Sequence, residues 1–205
     1  PSVRQRLYHI GWEALDWVFP PVCVGCKTEG ERLCPACRDS LVSLKPPLCR
    51  ICSNPLRLSA NMDPSAVNIC PDCSEKPPSF EALRSCVRYT GVGREAALSL
   101  KFRRNLGLAE VLADIMFRAF VSTHWNIDVV TCVPLSHQRL RQREYNQSAH
   151  IAYPLALRMA KPFQPLLLRK TLEIPSQVGL SADARRENVR DAFSLGVSKM
   201  NGEAV

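Results

Sequence analysis

The sequence lacks any apolar run long enough to cross a membrane. A spanning helix needs roughly 20 consecutive apolar residues. The longest candidate, Leu106 to Val121, carries the charged residues Glu110, Asp114 and Arg118. We therefore expect no transmembrane segment.

The N-terminal region also lacks the pattern of a secretory signal. Glu13 and Asp16 interrupt the apolar run from Leu7 to Val18, whereas a signal peptide has an uncharged apolar centre. Disulfides are rare in proteins that remain in a reducing compartment. The expected location is cytoplasmic, so the cysteines are expected to have another role.

Histidine is scarce, while cysteine is abundant. The 4 histidines, His9, His124, His137 and His150, are scattered along the chain, and they are not needed as metal ligands. Of the 10 cysteines, eight form four Cys-x-x-Cys pairs. The pairs are Cys23/Cys26, Cys34/Cys37, Cys49/Cys52 and Cys70/Cys73. Two such pairs complete a tetrahedral four-sulfur shell with no open position, so the chain is predicted to bind two structural zinc ions.

The spacing leaves open how the pairs combine. Seventeen residues separate Cys52 from Cys70, which lies inside the range typical of a zinc site. Only seven residues separate Cys26 from Cys34. Sequential pairing is one arrangement, and an interleaved one, in which Cys23/Cys26 share a metal with Cys49/Cys52, is the other.

Disulfide formation and redox chemistry are the alternative roles of the paired cysteines. Disulfides would require an oxidising compartment. A redox Cys-x-x-Cys motif usually occurs singly, so four in succession argue against it. The remaining cysteines, Cys86 and Cys132, lie in apolar runs and are predicted to be small buried core residues.

Composition fits a globular protein with an anionic partner. A chain of 205 residues with 46% hydrophobic residues can form one domain or two and bury a core. Its net charge of +8 favours a phosphorylated ligand or nucleic acid, although a solvated basic surface is the plainer interpretation.

The chain divides into three parts, residues 1–20, 21–78 and 79–205. Apolar residues recur at helical spacing over 4–19, and Pro20-Pro21 ends this amphipathic lead helix. The middle part has few core-forming residues and would need metal to fold. After Pro78 the pattern alternates between helix and strand, which predicts an α/β domain.

Several elements are predicted in that third part. Helices are expected at Gly93 to Phe102, Gly107 to Val121 and Asn146 to Ala160, and strands at Leu83 to Tyr89, Ile127 to Val133 and Leu166 to Thr171. The apolar, β-branched run from Ile127 to Val133 is typical of a buried parallel strand. Asn146 is expected to cap its helix, and Pro154 predicts a kink or a break.

The segment after this buried strand carries a candidate anion site. Ligands of open α/β sheets bind beyond the carboxyl ends of strands. Between Pro134 and Gln147, Arg139, Arg141 and Arg143 are followed by amide side chains at a predicted helix start. This pattern suits a phosphate, and a solvated basic loop is the alternative. A weaker pattern runs from Gln177 to Phe193, where Ser181 could cap a helix bearing Arg185, Arg186 and Asn188.

Taken together, these segments resemble the ComF family, competence-associated proteins that include GntX-like members. The resemblance spans nearly the whole chain and rests on the following residues: Phe19-Pro20-Pro21-Val22-Cys23, the four cysteine pairs, Tyr89-Thr90-Gly91, Lys101-Phe102, Asp128 to Pro134, Arg143-Glu144-Tyr145-Asn146-Gln147, Arg169 and Gln177 to Phe193. It implies a double zinc ribbon over 21–78 and a type I phosphoribosyltransferase-like domain over 79–205, with a role in DNA uptake.

The resemblance also implies a ligand, phosphoribosyl pyrophosphate with Mg²⁺. Arg139 or Arg143 would offset the pyrophosphate charge, while Asn146 and Gln147 would orient the loop. Further candidates for substrate contact are Lys101, Gln177, Arg186 and Asn188. Whether the protein is an enzyme that transfers the phosphoribosyl group, and to which acceptor, is left open.

The chain departs from the family pattern in two places. Glu144 stands where the family usually has glycine. The loop of two acidic residues followed by Thr and Gly, which holds the ribose and 5′-phosphate in such enzymes, is absent from the sequence and would be expected just past Val205. The domain is therefore expected to be truncated at its C-terminus and this chain alone inactive.

Two other functions remain as alternatives. The protein could be a non-catalytic zinc-ribbon factor that binds single-stranded DNA or a competence protein through its basic clusters. Base stacking on the zinc segment is not supported, because Phe80 at its margin is the one aromatic residue there. In the plainest alternative both zinc sites are structural and the α/β domain is a silent scaffold.

Overall fold

The fold is described from a computed structural model, which covers residues 3–56, 68–175, 177–196, 199–200 and 203–204. The helices are α1 Val3–Val18, α2 Pro35–Asp39, α3 Pro71–Glu75, α4 Gly91–Phe102, α5 Leu108–Val121, α6 His137–Arg143, α7 Gln147–Met159 and α8 Ala182–Asn188. The strands are β1 Leu168–Lys170, β2 Phe193–Leu195, β3 Lys199–Met200 and β4 Glu203–Ala204. Within these ranges no helix is both long and apolar enough to cross a bilayer.

The lead helix α1 forms where the sequence predicts it and packs along α7. The Tyr8 ring meets the Tyr153 ring edge to face at 5.5 Å. Trp12 lies under the guanidinium of Arg32 at 4.9 Å, and Asp16 forms an ion pair with the same arginine. One face of α1 is thereby fixed to the rest of the chain.

The region around the first four paired cysteines, Cys23 to Cys37, which we call the first cysteine region, shares a hydrophobic core with α4 and α5. Its buried residues Cys23, Val24 and Leu33 pack with Ala96 and Leu108. The second cysteine region has a small cluster of its own around Cys49, Cys70 and Cys73. The first region is therefore integrated with the helices that follow Pro78.

Helices α5 and α7 form the main helix pair. Arg158 of α7 lies 3.1 Å from Glu110 of α5, and both side chains are largely buried. A kink or a break was predicted at Pro154; the helix continues through this residue, so it is not broken there. Pro154 is buried beside Ala152 and Ala156, and this packing outweighs the proline's missing N–H.

The strands are shorter than predicted. The segment Ile127 to Val133 is extended and pairs in parallel at one bridge, where the Val130 N–H donates to the Pro162 carbonyl at 2.9 Å. Leu83 to Tyr89 pairs through a single bridge between Val87 and Ser43. Among the described residues, each of these two segments pairs with a neighbour at a single bridge. The prediction of continuous strands is therefore wrong for both.

The named strands form two small antiparallel sheets. β1, inside the predicted strand Leu166 to Thr171, pairs with β2, and β3 pairs with β4. β4 begins at Glu203, whereas Asn201, Gly202 and Val205 lie outside the described residues. The described part is a mixture of helices and small sheets.

Candidate metal centres and anion site

The first four cysteines converge on one point. The sulfur atoms of Cys23, Cys26, Cys34 and Cys37 all lie within 4.8 Å of one another. Cys26 Sγ and Cys34 Sγ are 3.6 Å apart, well beyond the roughly 2.05 Å of a disulfide. All ten cysteines are free thiols.

The second four cysteines form a matching group. The sulfurs of Cys49, Cys52, Cys70 and Cys73 also lie within 4.8 Å of one another, and Cys52 Sγ is 3.6 Å from Cys70 Sγ. The structure therefore combines the pairs in sequence order, and the interleaved arrangement is excluded.

The two tetrads are built on one backbone template. The N–H of Lys27 donates to the Cys23 carbonyl at 3.0 Å, and that of Ser53 donates to the Cys49 carbonyl at the same distance. Lys27 and Ser53 both have a left-handed backbone, with φ of 65° and 62°. The N–H of Cys34 points to Cys23 Sγ at 3.4 Å, and Cys70 does the same to Cys49 Sγ.

This repeat has a sequence signal that the spacing analysis missed. Pro-x-Cys-x-x-Cys occurs at 21–26 and again at 47–52, and Cys-Pro-x-Cys occurs at 34–37 and again at 70–73. In each second half, proline occupies the first position of a short helix, α2 or α3, directly after a cysteine. Aligning these motifs pairs the cysteines correctly.

The electrostatics of each tetrad fit a metal cation. Burial would raise the pKa of Cys23, but hydrogen bonds from the N–H groups of Cys34, Cys26 and Gly25 outweigh it and lower the pKa to about 6. Burial and the neighbouring thiols raise the pKa of Cys37 to about 12. Cys49 and Cys73 repeat this contrast, at about 6 and about 12.

Four sulfurs this close cannot all ionise unless a cation offsets their charge. The all-sulfur donor set matches the ligands of structural zinc and leaves no position open for a reacting water. The two tetrads thus fit two structural zinc ions.

The surroundings of the two tetrads differ. A Cβ added at Gly25 would lie 2.6 Å from Cys37 Sγ and 3.1 Å from Val92 Cγ2, so only glycine fits between the first tetrad and α4. Beside the second tetrad, the buried Ser53 hydroxyl donates to the Leu83 carbonyl at 2.8 Å, and Arg84 Nη1 donates to the Cys49 carbonyl at 3.3 Å.

Three predicted anion-binding residues come together. We call Lys101, Arg139 and Arg143 the basic cluster. Desolvation, then the positive charges of Arg143 and Arg139, lower the pKa of Lys101. The exposed Phe102 ring carries the Arg143 guanidinium at 5.2 Å and the Lys101 ammonium at 5.4 Å. The three side chains bring positive charges close together, and an anion bound there would reduce their mutual repulsion.

The two predicted amides lie next to this cluster in structural positions. Asn146 caps α7 by accepting from the Ser148 N–H at 3.0 Å, as predicted, and its amide donates to the Val133 carbonyl at 3.0 Å. Arg143 donates to the Gln147 side chain at 3.0 Å. These contacts fix the segment that carries the arginines to the end of the extended Ile127 to Val133 segment.

A cavity of about 680 Å³ opens at the same end of this segment. Its lining includes Pro134, His137, Asn146, Arg169 and Lys170. Arg139 lies close enough to Lys170 to contribute, after desolvation, to lowering its pKa.

Glu173 places a carboxylate beside these cations. It accepts a hydrogen bond from the Gln138 N–H at 3.2 Å. A hydrogen bond with Ser136 is the largest cause lowering its pKa, and the charges of Lys170 and Arg139 add to it. Neither Lys170 nor Glu173 belongs to a local motif, so neither was predicted from the sequence.

The other predicted substrate-contact residues have their hydrogen bonds and ion pairs outside the basic cluster, among the described residues. Arg186 pairs with Asp183 on α8 at 3.1 Å, and Ser181 caps this helix as predicted by accepting from the Ala184 N–H at 3.2 Å. Asn188 has a buried side-chain oxygen without a hydrogen-bond partner among the described residues, and the Gln177 carbonyl accepts from the Leu180 N–H at 3.3 Å.

Glu144 stands where the family resemblance predicts glycine. Glu144 ends α6 with φ of 65°, a left-handed backbone that favours glycine. Its carboxylate forms an ion pair with Arg104 at 2.6 Å on the surface.

The unpaired cysteines also differ from each other: Cys132 is buried as predicted, whereas Cys86 is only half-buried.

Comparison with known proteins supports this zinc-binding architecture. A family model described as a double zinc ribbon domain matches residues 14–74. No solved structure matches the chain significantly.

Curated relatives cover most of the chain. It is 26% identical over 175 residues to the DNA utilization protein YhgH of Salmonella typhi, which covers 80% of this chain and 77% of that protein. It is 27% identical over 172 residues to Competence protein F of Haemophilus influenzae, covering 82% and 71%. The YhgH protein of Shigella flexneri is 26% identical over 175 residues, covering 80% and 77%. The chain thus combines a match to the double zinc ribbon domain with similarity, over most of its length, to proteins named for DNA utilization and for competence.

Proposed function

We propose that the protein acts in DNA uptake and that its part from residue 79 onward is a phosphoribosyltransferase-like domain that binds phosphoribosyl pyrophosphate. The observation that carries the ligand proposal is the basic cluster of Lys101, Arg139 and Arg143, of which Arg139 lies close to Lys170 in the cavity lining.

A pyrophosphate group suits this cluster for electrostatic reasons. After desolvation, the positive charges of Arg143 and Arg139 lower the pKa of Lys101, and a bound pyrophosphate would offset these charges. Arginine binds phosphate oxygens through two parallel N–H donors, and Arg143 is already oriented by Gln147 and Phe102. When bound with the ligand, Mg²⁺ would neutralise part of the pyrophosphate charge.

The zinc tetrads have a supporting role in this proposal. The first tetrad shares its core with α4, and α4 carries Lys101 near its end. Metal binding would therefore stabilise the helix that supplies one member of the basic cluster. The tetrads themselves would take no part in chemistry, because their coordination is closed.

The DNA-uptake part of the proposal rests on the relatives. The names of two of them refer to DNA utilization and to competence. Their similarity extends over most of this chain, so we infer a related role. Deleting the gene should reduce uptake of labelled DNA, and the wild-type gene should restore it; unchanged uptake would contradict this role.

The ligand proposal is tested by calorimetric titration of the zinc-loaded protein with phosphoribosyl pyrophosphate and with inorganic pyrophosphate, each with and without Mg²⁺. Arg143→Ala should weaken binding of both at least about tenfold, since a charge-assisted contact contributes roughly 1.5–3 kcal/mol. Glu173→Gln should strengthen it, because it removes a negative charge near Arg139. Arg186→Ala is the matched control. Absence of saturable binding to either ligand would refute the proposal.

Single-stranded DNA is a second candidate ligand for the same cluster. Phe102 is 62% exposed between two cations, which gives a base a surface on which to stack. Binding to a single-stranded oligonucleotide should then weaken steeply as salt is raised. Phe102→Ala should reduce it, whereas pyrophosphate binding should persist in that variant, because Gln147 still orients Arg143. Affinity that is flat with salt, or unchanged in Phe102→Ala, would exclude this second ligand.

A further inference from the structure

Helix α1 leaves an apolar face exposed opposite the face that is docked. Tyr8, Trp12 and Asp16 contact Tyr153 and Arg32. On the other side lies an exposed stripe with the following members: Val3, Leu7, Ile10, Ala14 and Trp17. Leu7 is 64% and Trp17 is 88% exposed, so the stripe is not covered by the described residues.

The spacing of this stripe is that of a two-helix seam. Its members follow one another at intervals of four, three, four and three residues. At 3.6 residues per turn they lie within about 40° of a common direction. A surface helix that only docks on its own protein needs one apolar face, whereas α1 has two. The alternating interval is typical of coiled-coil contacts between helices.

Charges beside the stripe favour one partner and one orientation. Arg6 and Glu13 are both exposed and lie one heptad apart along the same edge of the stripe. In an antiparallel pair of such helices, residues of this edge face each other across the seam. Arg6 of one copy would then face Glu13 of the second copy, and the reverse pair forms by symmetry. A parallel pair would place Gly11 and Val18 opposite these charges instead.

We propose that α1 is a self-association surface, through which two copies of this chain pair with their α1 helices antiparallel. In the register that faces Arg6 with Glu13 of the second copy, Leu7 of one copy meets Ile10 of the other. The docked face of each α1 stays on its own chain, so pairing requires no rearrangement of the contacts with Arg32 and Tyr153.

The expected affinity is modest. A helix of 16 residues is about 24 Å long and offers a contact at the small end of specific interfaces. It is already folded against α7, so association does not have to order it. We expect a dissociation constant in the micromolar range, on the order of 10 µM.

Sedimentation velocity on the zinc-loaded full chain tests the proposal with a charge-swap series. Protein concentrations from about 1 to 200 µM span the expected dissociation constant. Arg6→Glu and Glu13→Arg should each raise the dissociation constant at least about tenfold by placing like charges opposite each other. The double variant Arg6→Glu/Glu13→Arg should return it to within about twofold of wild type, because both pairs are rebuilt in reverse. Leu7→Glu should leave a monomer with unchanged zinc content and circular dichroism.

Several outcomes would overturn the proposal. A monomer at every concentration would exclude self-association. A dimer unaffected by Leu7→Glu would place the interface elsewhere, and a double variant no tighter than the single ones would exclude the antiparallel orientation. Cosedimentation of a monomer with vesicles of phosphatidylglycerol and phosphatidylcholine, lost in Leu7→Glu, would assign the stripe to a membrane surface instead.

Discussion

The side-chain amide of Asn146 donates a hydrogen bond to the backbone carbonyl of Val133 at 3.0 Å. Its oxygen accepts from the Ser148 N–H at the same distance, so one side chain joins the end of the extended segment to the start of α7. The basic residues between these two points are held by this double contact.

Asn146→Ala should lower the free energy of unfolding by about 1–2 kcal/mol, since it removes a helix cap and a second hydrogen bond. Asn146→Asp keeps the acceptor for Ser148 but loses the donor to Val133, and it should cost less. Urea denaturation of the three proteins measures the difference. Equal stability of wild type and Asn146→Ala would show that neither contact matters.

Zinc content should show that the cysteine pairs combine into tetrads in sequence order. Cys26→Ser/Cys34→Ser damages one tetrad, so this double variant should retain one zinc per chain. Cys26→Ser/Cys52→Ser damages both tetrads and should retain none. Inductively coupled plasma mass spectrometry on purified protein gives the stoichiometry. The opposite order would indicate interleaved sites.

Losing the first zinc should affect more of the chain than losing the second. The first tetrad packs with Ala96 and Leu108, whereas the second is surrounded mostly by its own residues. Cys34→Ser should therefore lower the main thermal transition by several degrees more than Cys70→Ser. Calorimetry of the two variants provides the comparison, and equal shifts would contradict the shared core.

Gly25→Ala should weaken the first zinc site without changing a ligand. The added methyl group would lie 2.6 Å from Cys37 Sγ, and α4 blocks its retreat through Val92. We expect release of one zinc at chelator concentrations that leave wild type fully loaded. Gly11→Ala is the control, because a Cβ there meets nothing within 4 Å. Identical release curves would show that the site adapts.

Arg158→Met should destabilise the α5–α7 pair. Arg158 lies 3.1 Å from Glu110, with side-chain exposures of 12% and 15%, so the variant leaves a largely buried carboxylate without this cation. The cost should be roughly 2–3 kcal/mol in chemical denaturation. Arg118→Met removes an exposed partner of Asp114 and should cost less than about 0.5 kcal/mol. Similar effects of both variants would be inconsistent with the burial.

His150 should contribute to the pH dependence of stability. Burial lowers its pKa from the usual 6.5, so the folded chain holds it neutral and stability is lost as pH falls through 6.5 toward the folded pKa. His150→Phe keeps a ring beside Tyr145 and removes the titration. The difference in melting temperature between wild type and variant should therefore change between pH 7.5 and 5.5, in the direction that favours the variant at low pH. Parallel curves would assign the titration elsewhere.

The sequence by itself determined the local features of this protein. Apolar residues at helical spacing placed α1, α4, α5 and α7 almost correctly, because helix formation depends on contacts three and four positions apart. Cysteine spacing specified eight ligands, and Asn146 and Ser181 were correctly identified as caps. Each of these features depends on residues close together in the chain.

Only the tertiary structure decided which distant residues meet. Lys101 of α4 lies near Arg139 and Arg143 of α6, and no local periodicity encodes proximity between residues about 40 positions apart. The same reason explains the shortened strands, whose extent depends on partners supplied by other segments, and the continuous helix at Pro154, where burial overrides local preference. The way in which the cysteine pairs combine into tetrads was open for the same reason, since a metal ion binds residues that are close in space rather than in sequence.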